Sequence, residues 1–206
     1  MNLSLKNKAY YPFYLIYLLF LILGGVFLLS VTREESHLIL NQFFFPPFHC
    51  FFQNITHAGD GLAPVLIVAV ALFISYKSAL QIGFASMFAG GSTQLLKNLV
   101  FDDVDRPSWF FKHFSENSIQ LIEGLHMNIH NSFPSGHTTS AFAVCVSIIL
   151  LAKKKHYSLI FGLLALVAGY SRVYLSQHFF VDIYFGSLIG TIWATGIFLL
   201  LQKIEK

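Results

Sequence analysis

Long apolar runs separated by short polar breaks set the character of this chain. The runs go from Phe13 to Val31, Leu62 to Tyr76, Leu80 to Leu96, Thr138 to Ala152, Tyr157 to Tyr170 and Phe179 to Leu201. Read as helices, they make six membrane spans. Several fall short of the roughly 20 residues that cross a bilayer, and flanking residues such as Gly59 to Gly61 or Ser135 to His137 complete them. Gly186, Gly190 and Ala194 on the last run, and Ala85, Ala89 and Thr93 on the third, recur four apart, the spacing of close helix contacts. The first run follows Lys6 and Lys8 as a signal peptide would, but it is long and lacks a small-residue cleavage site, so it reads as a retained first span. The expectation is an all-α polytopic membrane protein with six transmembrane helices in one domain, residues 1–206, and its chemistry in a core at about 59–202. No internal repeat or low-complexity tract interrupts it.

Composition agrees. Of 206 residues, 55% are hydrophobic and 11% charged, against about 25% charged in soluble domains. The aromatic stretch Phe43 to Phe52 contains Pro46 and Pro47, which forbid a continuous helix, and its ring density suits anchoring at the bilayer interface. Two cysteines cannot build a disulfide framework, so Cys50 and Cys145 read as packing residues.

Charge then orients the helices. With the N-terminus inside, the cytoplasmic segments carry Lys6, Lys8, Lys77, Lys153, Lys154, Lys155, Lys203 and Lys206 against the single acid Glu205. The outer segments carry five bases and nine acids. The positive-inside rule selects this orientation, with both termini cytoplasmic. Helix parity places Lys97, His137, Arg172, His178 and Asp182 at outer helix ends. The long connection Asn98 to Phe133, which carries Arg106-Pro107, can fold back over them.

Ionisable groups at the edge of apolar runs call for a functional explanation. Lys97, Arg106 and Arg172 together make an anion site, and the planar fork of arginine suits phosphate. Pro134-Ser135-Gly136-His137 enters a helix with Ser135 as N-cap, Gly136 allowing close approach, and free amides pointing outward where a phosphate fits. If the last helix starts near His178, Asp182 lies one turn away on the same face and can accept the Nδ1 proton, leaving Nε2 free to attack phosphorus. His137 would then protonate the leaving oxygen and afterwards activate water. Taken singly, each cation is a snorkelling anchor and each motif an ordinary helix start. Their coincidence on one side argues for a site. His126 and His130, also four apart, lack an acidic partner at ligand spacing, so no metal site is expected.

The motifs resemble those of the type 2 phosphatidic acid phosphatase family, membrane lipid phosphatases that share a core with vanadium haloperoxidases. Pro134 to His137 match its second motif. Ser171, Arg172, His178 and Asp182 match its third, Ser-Arg, five residues, His, three residues, Asp. The first departs: the family has six residues between Lys and Arg-Pro, and eight separate Lys97 from Arg106-Pro107. The resemblance implies a reaction without metal or cofactor through a phosphohistidine on His178, with Asp182 as its orienter and His137 as acid and base. It also implies phosphate contacts from Lys97, Arg106, Ser135, Gly136 and Arg172.

The expected substrate is a lipid phosphate or diphosphate: undecaprenyl diphosphate, phosphatidylglycerol phosphate, phosphatidate or the lipid A phosphates. The site would face the periplasm from a bacterial inner membrane, at the outer interface. No nucleic-acid partner is expected. The competing reading is a non-enzymatic carrier or flippase that binds the same headgroup. A carrier has no use for a carboxylate-oriented histidine beside a second histidine.

Overall fold

The computed structural model describes residues 8–204; Lys6, Glu205 and Lys206, which entered the charge argument, lie outside them. Helix α1 (Tyr11–Ser30) follows a 3-10 turn, and α2 (Arg33–Asn41) lies after a two-residue break. Thr32 starts α2 with a capping box: its side chain accepts from Glu35 N–H while the Glu35 carboxylate accepts from Thr32 N–H. The chain continues through α3 (His49–Ile55), a 3-10 turn at Thr56–Gly59, α4 (Leu62–Ile74), α5 (Tyr76–Leu99), α6 (Pro107–His113), α7 (Gly136–Ala152), α8 (Lys155–Tyr174) and α9 (Phe180–Ile204). The described residues contain helices and turns and no strand.

Helix α7 is the axis. It packs against α5, α8 and α9, and 11 of its 17 residues are buried, the rest being partly covered, as expected of a helix that is apolar all round. The small-residue pattern marks its closest contact. A Cβ on Gly186 would lie 2.7 Å from the Ser135 carbonyl oxygen. One on Gly190 would meet the Thr139 carbonyl and come within 2.8 Å of Phe142 Cβ. Two glycines on α9 thus let its backbone sit directly on α7.

By length and composition, residues Lys8–Ser30, α8 and α9 can cross a bilayer. Pro46–Gly59 with α4, bent by 60°, would make a fourth span. The remaining two expected spans fall short of that criterion for separate reasons. Helix α7 has 17 residues, about 26 Å at 1.5 Å per residue. Helix α5 has 24, but carries Gln81, Thr93 and Lys97. These three point inward and are buried; Gln81 donates to Ser147 Oγ at 3.2 Å and to the Ala194 carbonyl at 2.8 Å.

The aromatic stretch does more than anchor. The Tyr174 hydroxyl donates to the Phe45 carbonyl at 2.7 Å and accepts from Phe45 N–H at 3.1 Å, while Phe44 and Phe52 stack on its ring. Phe43, Phe45, Phe48 and Phe51 remain half or more exposed. Cys145 is buried as expected; Cys50 is exposed on α3, its sulfur accepting from Asn54 Nδ2 at 3.4 Å, which corrects the reading of both as packing residues.

The α7–α9 contact yields a stability prediction. Gly190→Ala must push backbone against backbone and should cost about 1–3 kcal/mol. Gly196→Ala, on the same helix with nothing within 4 Å of its Cβ, should be neutral or gain up to about 1 kcal/mol from helix propensity. Thermal unfolding in detergent, with Gly190→Ala melting well below Gly196→Ala, is the expected order.

Candidate active site

The chain reversal between α8 and α9 builds the centre. The Arg172 carbonyl accepts from both Gln177 N–H (2.9 Å) and His178 N–H (3.1 Å), wrapping the five residues between Arg172 and His178 into a compact turn. Ser176 sits in the left-handed region at φ 51° to make that turn, a conformation uncommon for a residue with a Cβ. Helix α9 begins at Phe180, so His178 precedes it by two residues. The expectation that both members of the His178 and Asp182 pair lie on one helical face is therefore corrected. Asp182 is the third helical residue and reaches back like the acid of a capping box, its Oδ2 accepting from Phe179 N–H at 2.9 Å. The same oxygen accepts from His178 Nδ1 at 3.2 Å and from the Ser132 hydroxyl.

These contacts fix the imidazole. A carboxylate on Nδ1 requires the proton there, and Arg106 approaches Nε2 at 3.4 Å as a donor, so Nε2 keeps its lone pair. Burial, followed by the positive charges of Arg106, Arg172 and Lys97, holds the His178 pKa well below the ordinary histidine value. The ring is neutral over the physiological range.

The three cations surround this ring from three elements. Lys97 ends α5 and donates from Nζ to the Asn131 carbonyl at 2.8 Å. Arg106 precedes α6; its Nε donates to the His130 carbonyl at 2.9 Å, and another guanidinium nitrogen to the Gln177 carbonyl at 3.2 Å. The two extra residues of the first motif are absorbed in a turn at 100–103, and Arg106 still reaches His178. Arg172, on the last turn of α8, donates to Thr56 Oγ1 at 2.8 Å and keeps a buried Nε without a protein partner. All three side chains are over nine-tenths buried. A buried donor with nothing to accept from it costs about 1–3 kcal/mol unless a ligand supplies the acceptor.

Ser135 caps α7, its hydroxyl accepting from Thr138 N–H at 3.3 Å and from the Thr138 hydroxyl at 2.9 Å, while its own N–H donates to the Asp182 carbonyl at 3.0 Å. The capping expectation holds. Its side chain is fully buried, however. Gly136 and His137 are partly exposed beside it, at the positively polarised helix start. The Thr56–Gly59 turn packs so closely on His137 that a Cβ on Gly59 would strike its carbonyl, and Asp60 brings negative charge to both Arg172 and His137. His126 and His130 have separate partners: the His126 carbonyl accepts from Gln177 Nε2, and His130 Nδ1 meets Asp105 Oδ1 at 2.9 Å. Among the described residues no three His, Cys, Asp or Glu side chains gather as a metal site.

A buried histidine and carboxylate pair, three buried cations and an amide-rich helix start thus converge on one centre. Residues 78–206 match the model of the PAP2 superfamily. The chain belongs to that superfamily. It is 28% identical over 148 residues to phosphatidylglycerophosphatase B of Bacillus subtilis, covering 66% of this chain and 67% of that one. It is 42% identical over 62 residues to undecaprenyl-diphosphatase BcrC of the same organism, 30% of either chain. The crystal structure of a transmembrane PAP2 type phosphatidylglycerolphosphate phosphatase from Bacillus subtilis superposes with a TM-score of 0.62 at 25% identity, covering 94% of this chain and 98% of that one.

Several residues of this PAP2 site went unread in the sequence. Gln177 lies inside the third motif as one of its unspecified positions, yet its main chain and side chain both meet Arg106. Ser132 and Thr56 are single hydroxyls in polar loops, with no local signal that they reach Asp182 and Arg172. Such contacts exist only once the loops fold back.

The orphaned Nε predicts an anion. Inorganic phosphate should bind the resting protein, and Arg172→Gln should weaken it about 10- to 100-fold, the range of a charge-assisted hydrogen bond. Lys112→Gln, exposed on α6, should leave it unchanged. Calorimetric titration in detergent measures both.

Proposed function

We propose that this protein hydrolyses the phosphate monoester or diphosphate of a membrane lipid through a phosphohistidine on His178. The observation that carries the reading is the fixed tautomer: a neutral imidazole with Nδ1 on Asp182 and its Nε2 lone pair among three buried cations. A phosphate held by Lys97, Arg106 and Arg172, with the α7 amides at Gly136 and His137 and the Ser135 hydroxyl behind them, has phosphorus in line with Nε2. The N–P bond forms as the P–O bond to the lipid breaks, and His137, neutral in the empty site and charged by a proton that enters with the phosphate, protonates the departing oxygen. Water then gives a proton to His137 and attacks phosphorus; the P–N bond breaks, and inorganic phosphate and a neutral His178 are released. The charge on phosphate is met by arginine and lysine, so the reaction needs no metal. The relatives named for phosphatidylglycerol phosphate and for undecaprenyl diphosphate support a lipid substrate, and both headgroups suit the cations equally.

The same reading places six helices across a bacterial inner membrane in a single domain. Helix α5 qualifies because Gln81, Thr93 and Lys97 turn inward while Met87 and Leu95 face outward, more than half exposed. The short α7 is sheathed by its neighbours and starts at the site, so it need not span the full hydrocarbon depth. The site then opens on the periplasmic side, and Lys153 to Lys155 lie in the cytoplasm.

Phosphate release from a panel of phosphatidylglycerol phosphate, undecaprenyl diphosphate, phosphatidate and lipid A tests the activity. His178→Ala should abolish turnover and Asp182→Asn lower it at least about 100-fold, since the wrong tautomer presents no lone pair. EDTA should leave the rate unchanged, and acid quenching should trap a labelled phosphohistidine. Binding without release would establish the carrier reading instead. The depressed His178 pKa has a definite sign: as pH falls through 6.5 the ring stays unprotonated, so kcat/KM corrected for substrate ionisation should hold there and fail only at lower pH.

Topology is tested separately. Ser176, in the turn before α9, is fully buried against His37, so exposed Glu116 in the outer loop serves as the reporter. With Cys50 and Cys145 replaced, Glu116→Cys should react with an impermeant thiol reagent on intact cells and Lys154→Cys only after permeabilisation. The reverse pattern would move the site to the cytoplasmic face.

A further inference from the structure

Helix α2, which starts on the polar patch Arg33, Glu34 and Glu35, has the sequence of a linker between spans. It is instead bolted onto the catalytic turn. His37, fully buried, contacts Ser176 Oγ at 3.2 Å and lies between the rings of Phe111 and Phe179. Glu34 accepts from Ser115 and Asn117, and Asn41 both donates to and accepts from Gln120, so α2 also holds the outer loop. At its first residue, the Arg33 guanidinium carbon sits 3.8 Å from the centre of the Phe179 ring and 5.9 Å from that of Phe110, and one nitrogen donates to the Asp105 carbonyl.

Two atoms here stand out. Arg33 Nε is buried with no partner, and so is Asp182 Oδ1. The two side chains attract each other electrostatically. Phe179, on which Arg33 stacks, is the residue between His178 and α9, and its N–H is held by the other Asp182 oxygen. A guanidinium over a buried ring is held by the attraction between its charge and the ring face, and the flat group of arginine suits that stack where lysine does not.

We propose that Arg33 is a positioning residue of the reaction: stacked on Phe179, it locks the residue whose N–H holds Asp182 and adds positive charge on that side of the carboxylate, keeping it charged and aimed at His178. This rests on His178 as the nucleophile. The groups that face Asp182 are His178 and Phe179 N–H from the turn, the Ser132 hydroxyl from the loop, Lys97 from α5 and Arg33 from α2. Those that face Arg33 are Asp105, Asp182 and, across its own helix, His37. Lys97 also serves the phosphate, so Arg33 is the cation left to the carboxylate throughout turnover.

The test compares Arg33→Met with Arg33→Lys. Removing an opposite charge at close range raises a carboxylate pKa by about 1–3 units, so in Arg33→Met the acid limb of kcat should move up by about one pH unit or more. At neutral pH kcat should fall about 10-fold or more while KM changes little, and Arg33→Lys should restore the limb but only part of kcat. Nitrogen NMR of His178 in the resting protein, which needs no turnover, should show its Nδ1–H tautomer lost at higher pH in Arg33→Met than in the wild type. An unmoved acid limb and an unmoved tautomer titration, or equal damage from both substitutions at every pH, would overturn the proposal. If His178→Ala instead retained activity, the nucleophile assignment would fail, while the tautomer titration would still decide what Arg33 does to Asp182.

Discussion

One buried carboxylate ties the site together. Asp182 Oδ2 accepts from Ser132, Phe179 N–H and His178, and the Asp182 carbonyl accepts from Ser135 N–H. Those four contacts join the start of α9, the turn after α8, the end of the outer loop and the cap of α7. An ionised group taken out of water is tolerated only when it is well hydrogen-bonded or has cations nearby; Oδ2 has three donors, while Oδ1 has no hydrogen-bond partner and relies on the positive charges of Arg33 and Lys97. The helix start supplies part of the compensation through its own amides. Any displacement of Asp182 is therefore shared by the imidazole, the α7 cap and the loop together.

The cations show the opposite economy. Lys97, Arg106 and Arg172 are buried against backbone carbonyls, a hydroxyl and one another, with Asp182 and half-exposed Asp60 as the nearby carboxylates. Carbonyl dipoles hold these groups in place without neutralising them. The resting site is thus a preorganised positive field with open donors, and an anion entering it gains interactions that required no reorganisation on arrival. The price of that readiness is stability lost in the empty state, recovered when the anion binds.

Much of this was legible in the sequence, and the unread part has a physical pattern. The helical core followed from hydropathy, and a close helix contact on α9 from Gly186, Gly190 and Ala194, though not that α7 is the partner. The buried His178 and Asp182 followed from charged residues at the edge of apolar runs. What escaped were contacts between segments far apart in the chain, carried by residues of ordinary type. Ser132 meets Asp182 across 50 positions, Thr56 meets Arg172 across 116, and His37 meets Ser176 across 139. Periodicity and capping rules read neighbours within a turn or two. They are blind to a loop that folds back, so α2, which looks like a polar linker, shows its role only when Phe179 is beneath it.

The uneven tolerance of the motif spacings has the same origin. Between Arg172 and His178 the chain makes one turn closed by two amides on a single carbonyl, with Ser176 already in the left-handed region. A residue added there would rotate His178 off Asp182. After Lys97 the nearest such closure, the Val100 and Phe101 amides on the Leu96 carbonyl, stops short of Arg106 and does not fix its distance from Lys97. Arg106 is placed from outside that interval, by its N–H on the Ile129 carbonyl, by Ser132 N–H on the Val104 carbonyl and by its side chain on His130 and Gln177. Lys97 is placed by its helix. Two rigid ends joined by a turn leave the number of residues between them free, because loop closure costs little for each residue added. The strict spacing is the one where the backbone itself builds the catalytic geometry.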